Sequence, residues 1–208
     1  MHEESLTKNT KRVLEKLATS GLTKNFYLAG GTALALYFGH RFSVDLDWFA
    51  EHFHYTRSFR LRLEKLGHLT IDSESDDTFN GALDNVKISF FRYPYPLIMP
   101  KNKYKKNIFL ASLADIAAMK LEAVSRRGSY KDFIDIYFLL EQFSLKELLG
   151  FVRKKFANID YNEVHLLKAL VYFEDAKGTV MPKLIKPVSW EKVVKTISNK
   201  VEEYLKNL

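Results

Sequence analysis

YLAGGTALALYFGHRFSVDLDWF, residues 27–49, sets the architecture of the chain. It reads as a strand ending at Leu28 or Ala29, a Gly30-Gly31 turn, a short helix from Thr32, and a second strand carrying Asp45 and Asp47. Successive side chains on a strand point to opposite faces, which puts Ser43, Asp45, Asp47 and Phe49 on one side and Val44, Leu46 and Trp48 on the other. Two carboxylates are thus held side by side. Burying them together is costly unless a cation or proton neutralises them, and Mg²⁺ or Mn²⁺ prefers oxygen ligands of this kind. Asp45 and Asp47 are the candidate metal ligands.

The diglycine turn supplies the other half of a site. Glycine lets a ligand approach the main chain, and the helix that follows offers unpaired N–H groups and a positive dipole end. Thr32 fits either as the N-cap of that helix or as a hydroxyl aimed at a bound anion. A phosphate on Gly30, Gly31 and Thr32 beside a metal on Asp45 and Asp47 is the minimum apparatus for phosphoryl transfer.

A Gly-Gly turn, a short helix and D-x-D on a strand resemble the nucleotidyltransferase fold of polymerase-beta-like enzymes. The longer run GGTALALYFGHRFSVDLDWF is similar to the AbiEii/AbiGii toxin family, nucleotidyltransferase-like toxins of bacterial toxin-antitoxin and abortive-infection systems. The resemblance implies an α/β nucleotidyltransferase fold, a mixed sheet flanked by helices and followed by a C-terminal helical half. It also implies an NTP substrate, an RNA acceptor such as a tRNA end, or a protein acceptor, and a cognate antitoxin. Many nucleotidyltransferases carry a third carboxylate on the strand beside D-x-D; here that slot falls at Ser89. A serine brings no charge to a second cation, which leaves a one-metal site, a third acid from Asp72, Glu74 or Asp84, or a domain that binds nucleotide without turnover. Other phosphate motifs are absent: neither G-x-x-x-x-G-K-[ST] nor G-x-G-x-x-G occurs.

Composition bounds these readings. At 208 residues, 47% of them hydrophobic with only 5 prolines and 9 glycines, the chain describes a folded protein of one or two domains. It contains no cysteine, which excludes a disulfide framework and fits a reducing cytoplasm. MHEESLTKNTKR lacks an apolar signal core, and no run reaches the roughly 20 apolar residues of a membrane span. A cytoplasmic protein with no membrane partner is expected. The net charge of +7 favours polyanions, because basic residues on phosphates release counterions.

Along the chain, Glu4 to Thr19 and Tyr55 to Leu66 read as helices, and His68 to Arg92 as a meander of short strands. Arg92 to Pro100, with three prolines, reads as an extended connector in which Tyr93 and Tyr95 either stack on a base or pack on the sheet edge. KNKYKKN, residues 101–107, reads as a basic loop, a candidate RNA-backbone contact or an ordinary solvated loop. The division expected is an α/β domain over residues 1–110 and a helical domain over 111–208.

A second constellation lies in the helical half. Ser112 to Asp115 is a capping box opening a helix that runs to about Arg126, and Lys120 falls on its apolar stripe. Such a lysine either sits in a structural ion pair or reaches a triphosphate, with Arg127 on nearly the same line. The next helix, Tyr130 to Phe143, places Asp132 and Asp135 among apolar residues, where acids need partners. ADIAAMKLEAVSRRGSYKDFIDIYFLL resembles later motifs of the same toxin family, which implies roles in nucleotide handling for Lys120 and Asp132 and leaves Asp135 structural. Arg41 lines the phosphate site or pairs with a local acid. Helices follow over 145–156 and 163–173, then a linker over 174–187, then a long amphipathic helix capped by Ser189. A small-molecule nucleotidyltransferase of the aminoglycoside-modifying kind would share these features and differ in its acceptor pocket.

Overall fold

The computed structural model describes residues 1–159 and 161–207. Its strands are β1 (Tyr27–Leu28), β2 (Leu46–Ala50), β3 (Leu69–Ser75), β4 (Thr78–Leu83), β5 (Val86–Arg92), β6 (Asn102–Lys105) and β7 (Ile108–Leu110). They form one mixed seven-stranded sheet in the order β3-β4-β5-β2-β1-β7-β6. β2 runs parallel to β5 and antiparallel to β1, and β1 runs parallel to β7. The helices are α1 (Lys8–Ser20), α2 (Gly30–Phe38), α3 (Arg57–Glu64), α4 (Leu113–Arg126), α5 (Tyr130–Leu140), α6 (Leu145–Lys155), α7 (Glu163–Leu170) and α8 (Trp190–Lys206). No helix among the described residues is long and apolar enough to cross a membrane.

One face of the sheet is aromatic because β2, β4 and β5 each turn every second residue toward it. Trp48, Phe79 and Phe90 are fully buried there. Phe59 of α3 meets Phe90 edge-on at 5.0 Å, and Tyr55 stacks on Phe79 at 5.4 Å. α1 lies on the same side, where Lys16 bonds Asp84 and the Leu66 carbonyl at the end of α3. Truncating one of these rings, as in Phe90→Ala, costs about 3–5 kcal/mol. The opposite face carries Asp47 and Phe49. Helix α2 packs against β2 and also against α4 and α5, so the helical half is brought to the end of the sheet where Asp47 lies. One hydrophobic cluster runs through both halves, from Leu6 to Val201.

Several elements depart from the sequence reading. The N-terminal helix is a short 3-10 turn, Glu3–Ser5, followed by α1, because Thr7 caps Thr10 and restarts the helix. Residues 101–107 are an edge strand and a turn rather than a loop: Lys105 pairs with Glu3 at 3.0 Å and Tyr104 donates to the same carboxylate. Tyr93 and Tyr95 take the packing alternative, in a chain of edge-on rings from Phe49 to Phe156. The stretch read as a linker contains a 3-10 helix, Phe173–Gly178, and then a strap bonded to the main chain of residues 40–42.

Candidate active site

Helix α2 begins at Gly30, two residues earlier than the sequence suggested, and its N-cap is Ala29, whose side chain can accept no bond. Thr32 is therefore not the cap. Its hydroxyl donates to the Asp45 carbonyl and lies 2.8 Å from Ser43 Oγ. Thr32 thereby fastens the loop that delivers the first aspartate, and only its backbone N–H faces the helix end. The first-turn N–H groups of Gly30, Gly31 and Thr32 have no acceptor among the described residues, as expected for a helix start.

Glycine is required at both positions of the turn, for different reasons. Gly30 has φ +63°, and a Cβ there would stand 2.9 Å from Asp47 Oδ2. The second aspartate of D-x-D is thus packed directly against the start of α2. Gly31 has an ordinary backbone, but a Cβ would stand 2.3 Å from Arg41 Nη2. The absent side chain is the space that the guanidinium fills.

Asp47 is on β2, while Asp45 lies one residue before it, so only one of the pair is on the strand proper. The alternation of faces holds from Leu46 onward and fails before it: Val44 is exposed and Ser43 is buried. Burial, followed by the nearby charge of Asp45, pushes the Asp47 carboxyl above the usual carboxylate range, while Lys120, Lys131 and Lys87 pull the other way. Across the parallel pair Asp47 stands in register with Ser89, which is buried. None of the proposed substitutes for a third acid reaches this face. Glu74 accepts from Tyr55 and Asp84 binds Lys16, both on the aromatic side, and Asp72 is exposed in a bulge of β3.

Behind the turn lies a buried ion cluster whose centre is Asp135. Its Oδ1 accepts from His40 Nε2 at 2.7 Å and Arg41 Nε at 2.7 Å. Its Oδ2 accepts from Arg41 Nη2 at 2.8 Å and lies 2.8 Å from Lys120 Nζ. Lys120 also donates to Asp132 Oδ1 at 2.7 Å, and Asp132 Oδ2 accepts from the Ser129 hydroxyl and N–H, capping α5. Burial alone would raise both acids, but the Arg41 and Lys120 charges outweigh it and hold Asp135 well below its ordinary value; Lys120 and Ser129 do the same for Asp132. Burial lowers His40, which leaves it neutral with the proton on Nε2 and a bare, unpartnered Nδ1.

Of the expected residues, Gly30, Gly31, Asp45, Asp47, Arg41, Lys120 and Asp132 converge at one end of α2. Arg127 does not: it is exposed at the end of α4 with an extended backbone. The partner of Arg41 is no local acid but Asp135, 94 residues away. The strap was missed altogether. Phe42 N–H donates to the Lys183 carbonyl, and Ile185 and Lys186 N–H both donate to the His40 carbonyl, at 2.8–3.0 Å. These bonds fix the backbone from which Arg41 projects.

One aspartate on a strand of a mixed sheet, packed against a glycine turn at a helix start, with a second just before that strand, is the arrangement a nucleotidyltransferase fold calls for. The family model of the nucleotidyl transferase AbiEii toxin, from type IV toxin-antitoxin systems, matches residues 12–96 and 81–177. The chain belongs to this family of nucleotidyltransferase toxins. It is 43% identical over 207 residues to an uncharacterized protein of Aquifex aeolicus, covering 97% of this chain and 98% of that protein. Among solved structures it is similar to a candidate nucleotidyltransferase from H. pylori, with TM-score 0.60, 19% identity, and coverage of 96% of this chain and 95% of that one. It is also similar to MenT4, a nucleotidyltransferase toxin from Mycobacterium tuberculosis, with TM-score 0.58, 14% identity, and coverage of 95% and 84%. At these identities the structural likeness concerns the fold.

Proposed function

We propose that the chain transfers a nucleotidyl group from an NTP to a hydroxyl of an RNA acceptor: the hydroxyl oxygen bonds the α-phosphorus, the α–β phosphoanhydride bond breaks to release pyrophosphate, and the hydroxyl proton leaves to solvent. The observation that carries this reading is the uncompensated charge of Asp45 and Asp47. Arg41 and Lys120 balance Asp132 and Asp135 within their own cluster, and the D-x-D pair forms no ion pair among the described residues. A divalent cation fits that need, and Asp45 and Asp47 are the residues that would hold Mg²⁺ or Mn²⁺. When bound, such an ion neutralises charge developing on the attacked phosphate.

The remaining roles belong to this chain's own groups. The N–H groups of Gly30, Gly31 and Thr32 bind triphosphate oxygens at the positive end of α2. Arg41, clamped by Asp135 against Gly31, and Lys120, held by Asp132 and Asp135, stand beside the turn as fixed cationic groups in an ion cluster with no net charge, and their role is to hold the turn in the shape that receives the phosphates. Donors fixed in this way lower the barrier because they need no reorganisation during reaction. The lowered Asp132 carboxyl is a poor base, so its role is to orient Lys120. Ser89 in register with Asp47 suits a site built on one pair of acids. The +7 charge favours RNA over a protein acceptor. A family from type IV toxin-antitoxin systems supports an antitoxin as partner, and the lack of cysteine fits action in a reducing cytoplasm.

The test is to incubate the protein with each α-³²P-labelled NTP, Mg²⁺ and either total RNA or total protein. Label should land on RNA. Label on protein alone would replace the acceptor, and no label on any acceptor would refute transfer.

A further inference from the structure

The sheet face that carries Asp47 does not end at β2. Following the register outward, Asp47 pairs with Ser89 on β5, Ser89 with Asn80 on β4, and Asn80 with Ser73 on β3. Asn80 Nδ2 donates to Ser73 Oγ at 3.0 Å. One row above, Phe49 stacks on Phe91 at 5.2 Å, and Phe91 stands opposite Thr78. One row below, Lys87 projects from β5 on the same face.

The outer part of this face is open, with Ser73 and Lys87 exposed and Asn80 half-buried, whereas Ser89 beside Asp47 is buried. α1 and α3 both pack on the aromatic face, and β4 alternates between buried Phe79, Gly81 and Leu83 and half-buried Thr78, Asn80 and Ala82 on the other side. The face is hydroxylic and amidic, with one exposed lysine and one half-buried aromatic ring. Lys87 belongs to no ion pair among the described residues, yet its charge is felt at Asp47. The neighbouring acids Glu74 and Asp84 are turned to the opposite side, bound to Tyr55 and Lys16.

We infer that this face of β5, β4 and β3 is the acceptor platform, on which a single-stranded RNA end lies so that its terminal hydroxyl meets Asp47. The inference rests on the transferase reading above and names the surface that serves it. Lys87 takes a backbone phosphate. Asn80 and Ser73 present donors and acceptors to the ribose 2′-hydroxyl, which DNA lacks, while Ser89, buried between Asn80 and Asp47, takes no part in the contact. Phe91 offers a ring face to a base, and base-on-ring stacking tolerates any sequence. A protein acceptor would need apolar pockets for side chains; this row supplies one ring and no large aliphatic residue.

The experiment measures binding of a fluorescein-labelled 12-nucleotide single-stranded RNA, and of the same sequence as DNA, by anisotropy across a salt series. It is run on wild type, Lys87→Glu and Asn80→Ala. Lys87→Glu should weaken RNA binding about tenfold or more and flatten the salt dependence by roughly 0.7 in log–log slope for each phosphate no longer neutralised. Asn80→Ala should erase a preference for RNA over DNA while leaving DNA binding within about twofold. In transfer assays both variants should raise the KM for RNA and leave the KM for NTP unchanged. Unaltered RNA binding in both variants overturns the platform, and a raised KM for NTP instead assigns the face to the nucleotide. RNA bound equally by wild type and Lys87→Glu but transferred only by wild type also overturns it. A wild type that binds RNA through Lys87 but transfers nothing refutes the transferase reading and leaves the platform standing.

Discussion

An alanine at position 31 sets two effects against each other. Gly31 lies in the first turn of α2 with no positive φ, so the backbone accepts alanine without strain. Replacing glycine by alanine in a helix stabilises by up to about 1 kcal/mol. The new methyl, however, would stand 2.3 Å from Arg41 Nη2 and 3.3 Å from its Cζ. A long side chain normally swings aside. Arg41 is 3% exposed, bonded to both oxygens of Asp135 and to the Phe42 carbonyl, and has nowhere to go without giving up its partner. Breaking a buried ion pair from one side costs about 3–5 kcal/mol. The net loss is then about 2–4 kcal/mol, which for a chain of this length lowers Tm by roughly 4–16 °C in calorimetry. The comparison that isolates the cause is the same substitution in an Arg41→Met background. There the clash is gone, and Gly31→Ala should be neutral or stabilise by up to about 1 kcal/mol. Equal destabilisation in both backgrounds, or a raised Tm in the wild-type background, would refute the reasoning.

Asp47→Asn should leave stability in metal-free buffer unchanged or raise it. Burial and Asp45 lift the folded Asp47 carboxyl above its usual range, so its ionised form is disfavoured by folding. The variant's advantage should be largest at neutral pH and shrink as pH falls through that raised value; urea titrations at both ends of the range measure it. Asp135 behaves oppositely. Its folded carboxyl is held low by Arg41 and Lys120, so its contribution is complete above the ordinary carboxylate value, about 4, and is lost as pH falls below it. Asp135→Asn should therefore cost about 3–5 kcal/mol at neutral pH and show a shallower decline between about pH 4 and 2, read by acid titration of circular dichroism.

What the sequence disclosed were the features whose physics is local. A diglycine before an apolar helix, two acids at strand spacing and the Ser112 cap are each readable within a few residues; α4 formed where its cap indicates, while α2 began two residues early and β2 took in only the second acid. What it withheld depends on pairings between residues far apart in the chain. Nothing near Arg41 points to Asp135, and Asp135 by itself reads as an acid in need of any partner. Thr32 resembled a cap because caps and first-turn threonines share a residue type; its hydroxyl was claimed instead by the Asp45 carbonyl. The 183–186 strap has proline on both sides, a linker composition, yet its N–H and carbonyl groups were free to pair with residues 40–42. Asn102–Lys105 became a strand because β7 offered an edge, which charge composition cannot foretell.

The most direct test compares transfer of α-³²P label from NTP to RNA by wild type and by Asp47→Asn, each first verified as folded. If the D-x-D pair is the seat of the chemistry, wild type labels RNA and the variant falls by roughly 10²-fold or more. Labelling by folded Asp47→Asn at the wild-type rate would contradict it.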